Sequence, residues 1–201
     1  MLQRLRGYAT TTNILILVIV ISFIIQILVE EYTDAFKFSI EYIIFEPYRF
    51  FTSGFLHGSI LHLFLNMYAL FIFGNLLEKE AGNKQMLVLF LLGSLAGTGG
   101  HILLGVLGVE PIKTLIGASD SISAIFGACV FLALYRNIEV FLIKMKVRTA
   151  LILFLVYNLL GILSIFALQA NVAYSTHISA LIFGYLYARF FIKTSAQERS
   201  I

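Results

Sequence analysis

The chain reads as an all-α membrane protein, a bundle of six transmembrane helices, and three observations lead there. Of its 201 residues 60% are hydrophobic and only 12% are charged, with a mean hydropathy of +0.94, a composition foreign to soluble domains. Its apolar stretches are long enough to cross about 30 Å of hydrocarbon, which takes about 20 helical residues. The basic residues gather in alternate connecting segments, as the positive-inside rule requires.

The spans are expected at about 12–29, 56–77, 84–108, 117–135, 149–169 and 175–192, within a single integral membrane domain covering 1–201. Arg4 and Arg6 precede the first apolar run as in a signal peptide, but the run is long and no small-residue cleavage site follows, so it reads as a retained span. Residues 30–55 mix Glu30, Glu31, Asp34, Glu41 and Glu46 with Phe, Tyr and Ile. Such an amphipathic segment is expected to rest on the outer membrane surface rather than to be disordered. The third span carries Gly93, Gly97, Gly99, Gly100 and His101; glycine is common in membrane helices, where it permits close packing.

Placing the N-terminus inside puts Arg4, Arg6, Lys79, Lys84, Arg136, Lys144, Lys146, Arg148, Arg189, Lys193 and Arg199 on that side, 11 of the 14 basic residues. Only Lys37, Arg49 and Lys113 remain outside, which favours an N-in, C-in multi-pass protein, expected in the cell membrane. The net charge of +3 then reports inside loops, not a nucleic-acid-binding surface. Cys129 is the single cysteine, so no intrachain disulfide forms. No internal repeat or low-complexity tract is visible, which argues against a transporter built from repeated halves.

Polar groups within spans are costly and face the bundle interior, so each is a functional candidate. In "HGSILHLFLNMYAL" His62 and Asn66 are four apart, on one helical face one turn from each other. "LIGASDSISAIFG" puts Ser119 near the start of the fourth span behind Gly117, and "STHISALIFGY" puts His177 near the start of the sixth. Spans two, four and six run in the same direction, so these residues meet at similar depth near the outer surface. A serine, a histidine whose ordinary pKa is near neutrality and extra hydrogen-bond donors are the parts of a serine hydrolase: nucleophile, base and oxyanion hole. Gly117 lets the backbone turn tightly and expose the hydroxyl.

These motifs, over residues 47–190, resemble the rhomboid intramembrane serine proteases. The resemblance implies a rhomboid-like fold and a Ser119–His177 dyad with no third carboxylate. It implies oxyanion donors at His62, Asn66 and the Ser119 backbone N–H, and substrates that are transmembrane proteins cut near the outer ends of their helices. Tyr48 and Arg49 are similar to the family's Trp-Arg pair, and Glu78 with Gly82 fits another family position. Three positions depart from the pattern. Asp120 stands where glycine usually follows the nucleophile, Ser123 where many members carry an aromatic packed on the base, and Ser179-Ala180 where a glycine pair usually follows it.

Other readings stand beside this one. Ser119, Ser123 and Gly127, facing Ala180 and Gly184, also describe a close-packed seam between spans four and six, and an alternative register makes Ser123 the nucleophile. Asp120 either caps the fourth span, supporting the nucleophile turn, or acts electrostatically on His177. His57 and His101 read as structural or interfacial, and Asn158 as an interhelical hydrogen bond. No H-x-x-x-H or H-E-x-x-H spacing occurs, so neither metal nor other cofactor is expected. The expected partners are transmembrane protein substrates and the lipid bilayer, with no nucleic acid; nothing in the sequence sets the oligomeric state. The alternative to an endopeptidase is a catalytically silent relative that binds membrane helices without turnover.

Overall fold

A computed structural model describes residues 10–162 and 173–192. Arg4, Arg6, Lys193 and Arg199 of the inside set, and the end of the fifth expected span, lie outside the described residues. The described chain is mostly helical. Its longer helices are α1 (Thr11–Leu28), α4 (Ile60–Ala81), α5 (Asn83–Val106), α6 (Ser119–Ala133), α7 (Val147–Ile162) and α8 (Tyr174–Phe191), with the short α2 (Tyr32–Phe36) and α3 (Arg49–Thr52) between α1 and α4. By length and composition α1, α4 and α5 are able to cross a membrane, and α6 and α7 are shorter apolar helices. Large apolar side chains face outward on the bundle, among them Leu28, Ile60, Ile152 and Phe190, as an integral membrane protein requires.

Local chemistry sets the ends. Thr10 caps α1, its hydroxyl accepting from Asn13 N–H at 3.2 Å. The Glu78 carboxylate accepts from both Thr12 N–H (3.1 Å) and Thr12 Oγ1 (2.9 Å), an anion at a helix N-terminus where the dipole favours it. Ser59 caps α4 by accepting from His62 N–H at 3.1 Å, so the helix starts later than the expected 56 and runs on to Ala81. Gly82, at φ +84°, ends it, a conformation glycine adopts without strain.

The helix α6 is the centre of the bundle: every residue from Asp120 to Val130 is buried. It has 15 residues, a rise of about 22 Å, shorter than the expected span 117–135. Enclosed by α4, α5 and α8, it has little surface to present to lipid. The packing depends on missing β-carbons. One at Gly127 would fall on the Leu181 carbonyl, and one at Gly184 on the Ala124 carbonyl, so α6 and α8 meet backbone to backbone. The glycines of α5 do not break it. Gly93 lies against Ala124, Gly97 against Asp120 and Gly100 against Ser179. The glycine pair missing after His177 is thus compensated from the facing helix, where Gly100 makes room for the larger Ser179. The core is filled by Ile19, Leu70, Leu77, Met86, Leu89, Phe90 and Ile125.

One arginine ties together residues 34–49. Arg49 is 6% exposed; its Nε donates to Glu46 Oε2 at 2.6 Å and its Nη1 to the Asp34 and Lys37 carbonyls at 2.6 and 3.0 Å. Its guanidinium lies 4.5 Å from the Tyr42 ring centroid, a cation–π contact. Tyr48 Oη donates to the same Glu46 oxygen at 2.6 Å. This bond, and the one from Arg49, hold the Glu46 carboxyl below its ordinary pKa.

Between α6 and α7, where the sequence suggests only a connecting loop, β1 (Asn137–Val140) pairs antiparallel with β2 (Ile143–Lys146). Its turn residues Phe141 and Leu142 have φ of +47° and +68°, unfavourable for such side chains. Tertiary contacts hold them: Phe141 stacks on Tyr68 at 4.4 Å and donates its N–H to Tyr68 Oη at 2.7 Å. Ile138 is buried with Phe126, Val130 and Val147.

Candidate active site

Ser119, His177 and Asn66 line one cavity of about 200 Å³ together with Ala69, Phe73, Ile122, Ser123, Phe126, Ala150, Phe154 and Tyr157. They come from the first residue of α6, the first turn of α8 and the second turn of α4. They are far apart in sequence, and each lies near the N-terminal end of its helix. Ser119 and His177 are partly accessible, whereas Ser121 and Ser123 are buried. Ser121 Oγ is committed to the Phe90 carbonyl at 2.6 Å. Ser123 borders the same cavity one turn further along α6.

The turn before Ser119 is strained in the way glycine relieves. Gly117 has φ +122°, and its N–H donates to the Ser53 carbonyl at 2.9 Å. Two residues earlier Leu115 exchanges backbone hydrogen bonds with Phe38 at 3.1 Å in each direction. The segment tied together by Arg49 therefore holds the loop that presents Ser119.

His62 is not among the residues lining the cavity but stands beside it. A β-carbon on Gly117 would come within 2.8 Å of His62 Cε1 and 3.0 Å of Nε2. Its Nδ1 accepts from Gly58 N–H at 3.4 Å, a long bond that leaves the proton on Nε2, on the side of the Ser119 turn. His57, 2% exposed, packs edge-on against this ring with centroids 4.9 Å apart. Asn66 Nδ2 donates to the His62 carbonyl at 3.1 Å within the helix.

Asp120 behaves differently from a cap. The N-cap of α6 is Ala118, with no side-chain capping bond, and Asp120 is the second residue inside the helix. The Asp120 side chain is buried over Gly97 of α5, beside the Thr176 hydroxyl. Only a residue without a side chain at 97 leaves it that room.

Two features were hidden in the sequence. Asn158 of α7 is fully buried, and its Oδ1 lies 3.0 Å from His177 Nδ1. The interhelical hydrogen bond was legible; its partner was not. The rings of Phe154 and Tyr174, with centroids 6.4 and 6.3 Å from that of His177, flank the imidazole where Ser123 offers no aromatic. Secondly, His101 is 1% exposed. Its Nδ1 is 2.6 Å from Glu110 Oε1, and its Nε2 accepts from Lys113 N–H at 2.8 Å. Ser175 Oγ also donates to Glu110 Oε1. The loop before Gly117 is thereby tied to α5 and to the first turn of α8. Glu110 lies in a connecting loop and gave no signal of such a role.

The profile of the Rhomboid domain matches residues 45–194. A Bacillus subtilis (strain 168) protein named "Putative rhomboid protease YdcA" is 32% identical over 93 residues, 46% of this chain and 44% of the relative. The Arabidopsis thaliana protein named "RHOMBOID-like protein 6, mitochondrial" is 34% identical over 83 residues, 41% of this chain and 25% of the relative. The matched stretches cover less than half of either relative.

Proposed function

Because the chain belongs to the rhomboid family, we propose that it is an intramembrane serine endopeptidase that cuts transmembrane helices of other membrane proteins near their outer ends. The observation that carries this reading is the cavity shared by Ser119, His177 and Asn66. In the proposed reaction Ser119 Oγ attacks the scissile carbonyl carbon while His177 takes the hydroxyl proton. The oxyanion is held by Asn66 Nδ2–H, His62 Nε2–H and the Ser119 backbone N–H. The tetrahedral intermediate collapses to an acyl-enzyme as His177 returns the proton to the leaving amine. Water, deprotonated by the same histidine, then releases the new carboxylate and restores Ser119.

The proposal includes six helices traversing the cell membrane, N-in and C-in, with the site near the outer face. The distribution of basic residues supports that orientation. A site at this depth meets the end of a substrate helix where small or helix-weakening residues let the chain unwind.

Labelling with a fluorophosphonate probe, followed by identification of the modified residue, tests the proposal. Labelling at Ser119, together with cleavage of a model transmembrane substrate, is the expected result. A chain that never reacts in detergent or in lipid is the helix-binding, catalytically silent relative. Labelling at Ser123 in its place shifts the nucleophile by one helical turn.

A further inference from the structure

We infer that Asn158 is a positioning residue for His177, holding one tautomer and one ring orientation of the base and extending the site from a pair to Ser119–His177–Asn158. The inference rests on the catalytic reading of Ser119 and His177.

The amide orientation is determined by its second bond. Asn158 Nδ2 donates to the Phe154 carbonyl at 2.8 Å, one turn back in α7. Only the NH₂ end of an amide donates to a carbonyl, so Oδ1 is the atom 3.0 Å from His177 Nδ1. An amide oxygen accepts and does not donate, so Nδ1 carries the hydrogen. The lone pair of the neutral ring is then on Nε2, the nitrogen free to take the Ser119 proton. When Nε2 is protonated, the Nδ1–H···Oδ1 bond becomes charge-assisted and strengthens. Asn158 therefore stabilises the imidazolium formed during reaction more than the imidazole that precedes it.

An amide suits the place better than a carboxylate. Asn158 is 0% exposed, and burying a second ion there would cost several kcal/mol before any pairing energy returned. The carbonyl orients the ring without that penalty. It also accounts for how the base is held although Ser123 offers no ring: the support comes from α7, through Asn158 and the flanking Phe154.

The test measures the fluorophosphonate labelling rate of the full-length chain against pH for the wild type, Asn158→Leu and Asn158→Asp. Loss of the outer partner that orients a metal-bound histidine costs about 10- to 100-fold, and a factor of that order is expected here, so Asn158→Leu should lower the plateau rate by about as much. Its acid limb should also move to lower pH, because the imidazolium has lost its acceptor. Asn158→Asp keeps an acceptor oxygen, so its plateau should recover toward wild type and its acid limb should move to higher pH. A lowered rate with an unmoved limb in both variants overturns the inference, since a packing role alone does that. Wild-type rates and limbs in both variants overturn it as well. Should Asn158→Leu fail to fold, the direction of the Asn158→Asp limb decides. A wild type that never labels defeats the catalytic reading itself, a result distinct from one in which Ser119 labels and Asn158 is indifferent.

Discussion

The backbone of Gly117 lies directly under the imidazole of His62: a β-carbon there would stand 2.8 Å from Cε1 and 3.0 Å from Nε2, at a φ of +122°. Gly117→Ala therefore meets two obstacles, a conformation costing about 1–3 kcal/mol for a side-chain-bearing residue and a collision with the ring. The turn must shift, carrying Ser119 with it. A displacement of about 1 Å at a reacting group lowers rates by about 100-fold. The expected outcome is a lowered thermal midpoint and at least that loss in probe labelling, while Gly58→Ala, with 3.6 Å to Ile116, is mild in both measurements.

Ser119→Ala and His177→Ala should each abolish cleavage of a model transmembrane substrate and leave the bundle folded, since neither side chain belongs to the buried core. The two act on one proton transfer, so the double variant should be hardly worse than either single one. Near-normal turnover by Ser119→Ala would exclude it as nucleophile. Loss in Ser123→Ala with retention in Ser119→Ala would move the role one turn along α6.

Asn66→Ala should reduce turnover by up to about 100- to 1,000-fold, the range seen when one oxyanion donor is removed. One amide hydrogen of Asn66 is given to the His62 carbonyl at 3.1 Å, leaving the other for the cavity. The loss is graded because the Ser119 N–H and His62 remain. Unchanged single-turnover rates would reduce Asn66 to a packing residue.

What the sequence made legible followed from short-range chemistry. Among the described residues the apolar runs overlap the longer helices, three of which are long and apolar enough to cross a membrane, and spacing four between His62 and Asn66 put both on one helical face. Gly117 was readable as a tight turn before the serine, and Gly127 and Gly184 as close packing between two spans, where the structure shows that a β-carbon would collide. The rest depends on contacts between distant segments. The hairpin 137–146 has no glycine or asparagine at its turn, and only Tyr68, 73 positions from Phe141, explains that turn. Asn158 and His177, 19 positions apart, meet through the packing of α7 on α8. Asp120 looked like a cap because acidic residues favour helix starts; Gly97 on another helix drew it elsewhere.

Glu46 offers a test by acid. Its pKa is lowered first by the hydrogen bond from Tyr48 and then by that from Arg49. A carboxylate with a lowered folded-state pKa contributes stability that is present above its ordinary value of 4.5 and lost as pH falls through the lowered one. The thermal midpoint of the wild type should therefore exceed that of Glu46→Gln at neutral pH, and the gap should close as pH falls below that ordinary value. The group is solvent-accessible, so added salt should narrow the gap at neutral pH too. A gap independent of pH would assign its effect to shape rather than charge.

Asp120 and Gly97 supply the most specific test of the helix packing. A β-carbon on Gly97 would lie 2.6 Å from Asp120 Cγ and 2.7 Å from both its Cβ and its Oδ2. None of these atoms can retreat freely, since Asp120 is 9% exposed and wedged between α5 and α8. Gly97→Ala alone should therefore destabilise by about 1–3 kcal/mol, as overpacking does. Asp120→Gly removes the obstructing side chain, and with it the collision. In the double variant the new methyl group occupies space the carboxylate vacated, so its thermal midpoint should exceed the sum of the single effects. Contacting residues show couplings of about 0.5–3 kcal/mol, and a value in that range with a compensating sign is expected. Additive effects would mean that the Asp120 side chain does not lie over Gly97, and the account of how α5 makes room for a carboxylate beside the nucleophile would fall.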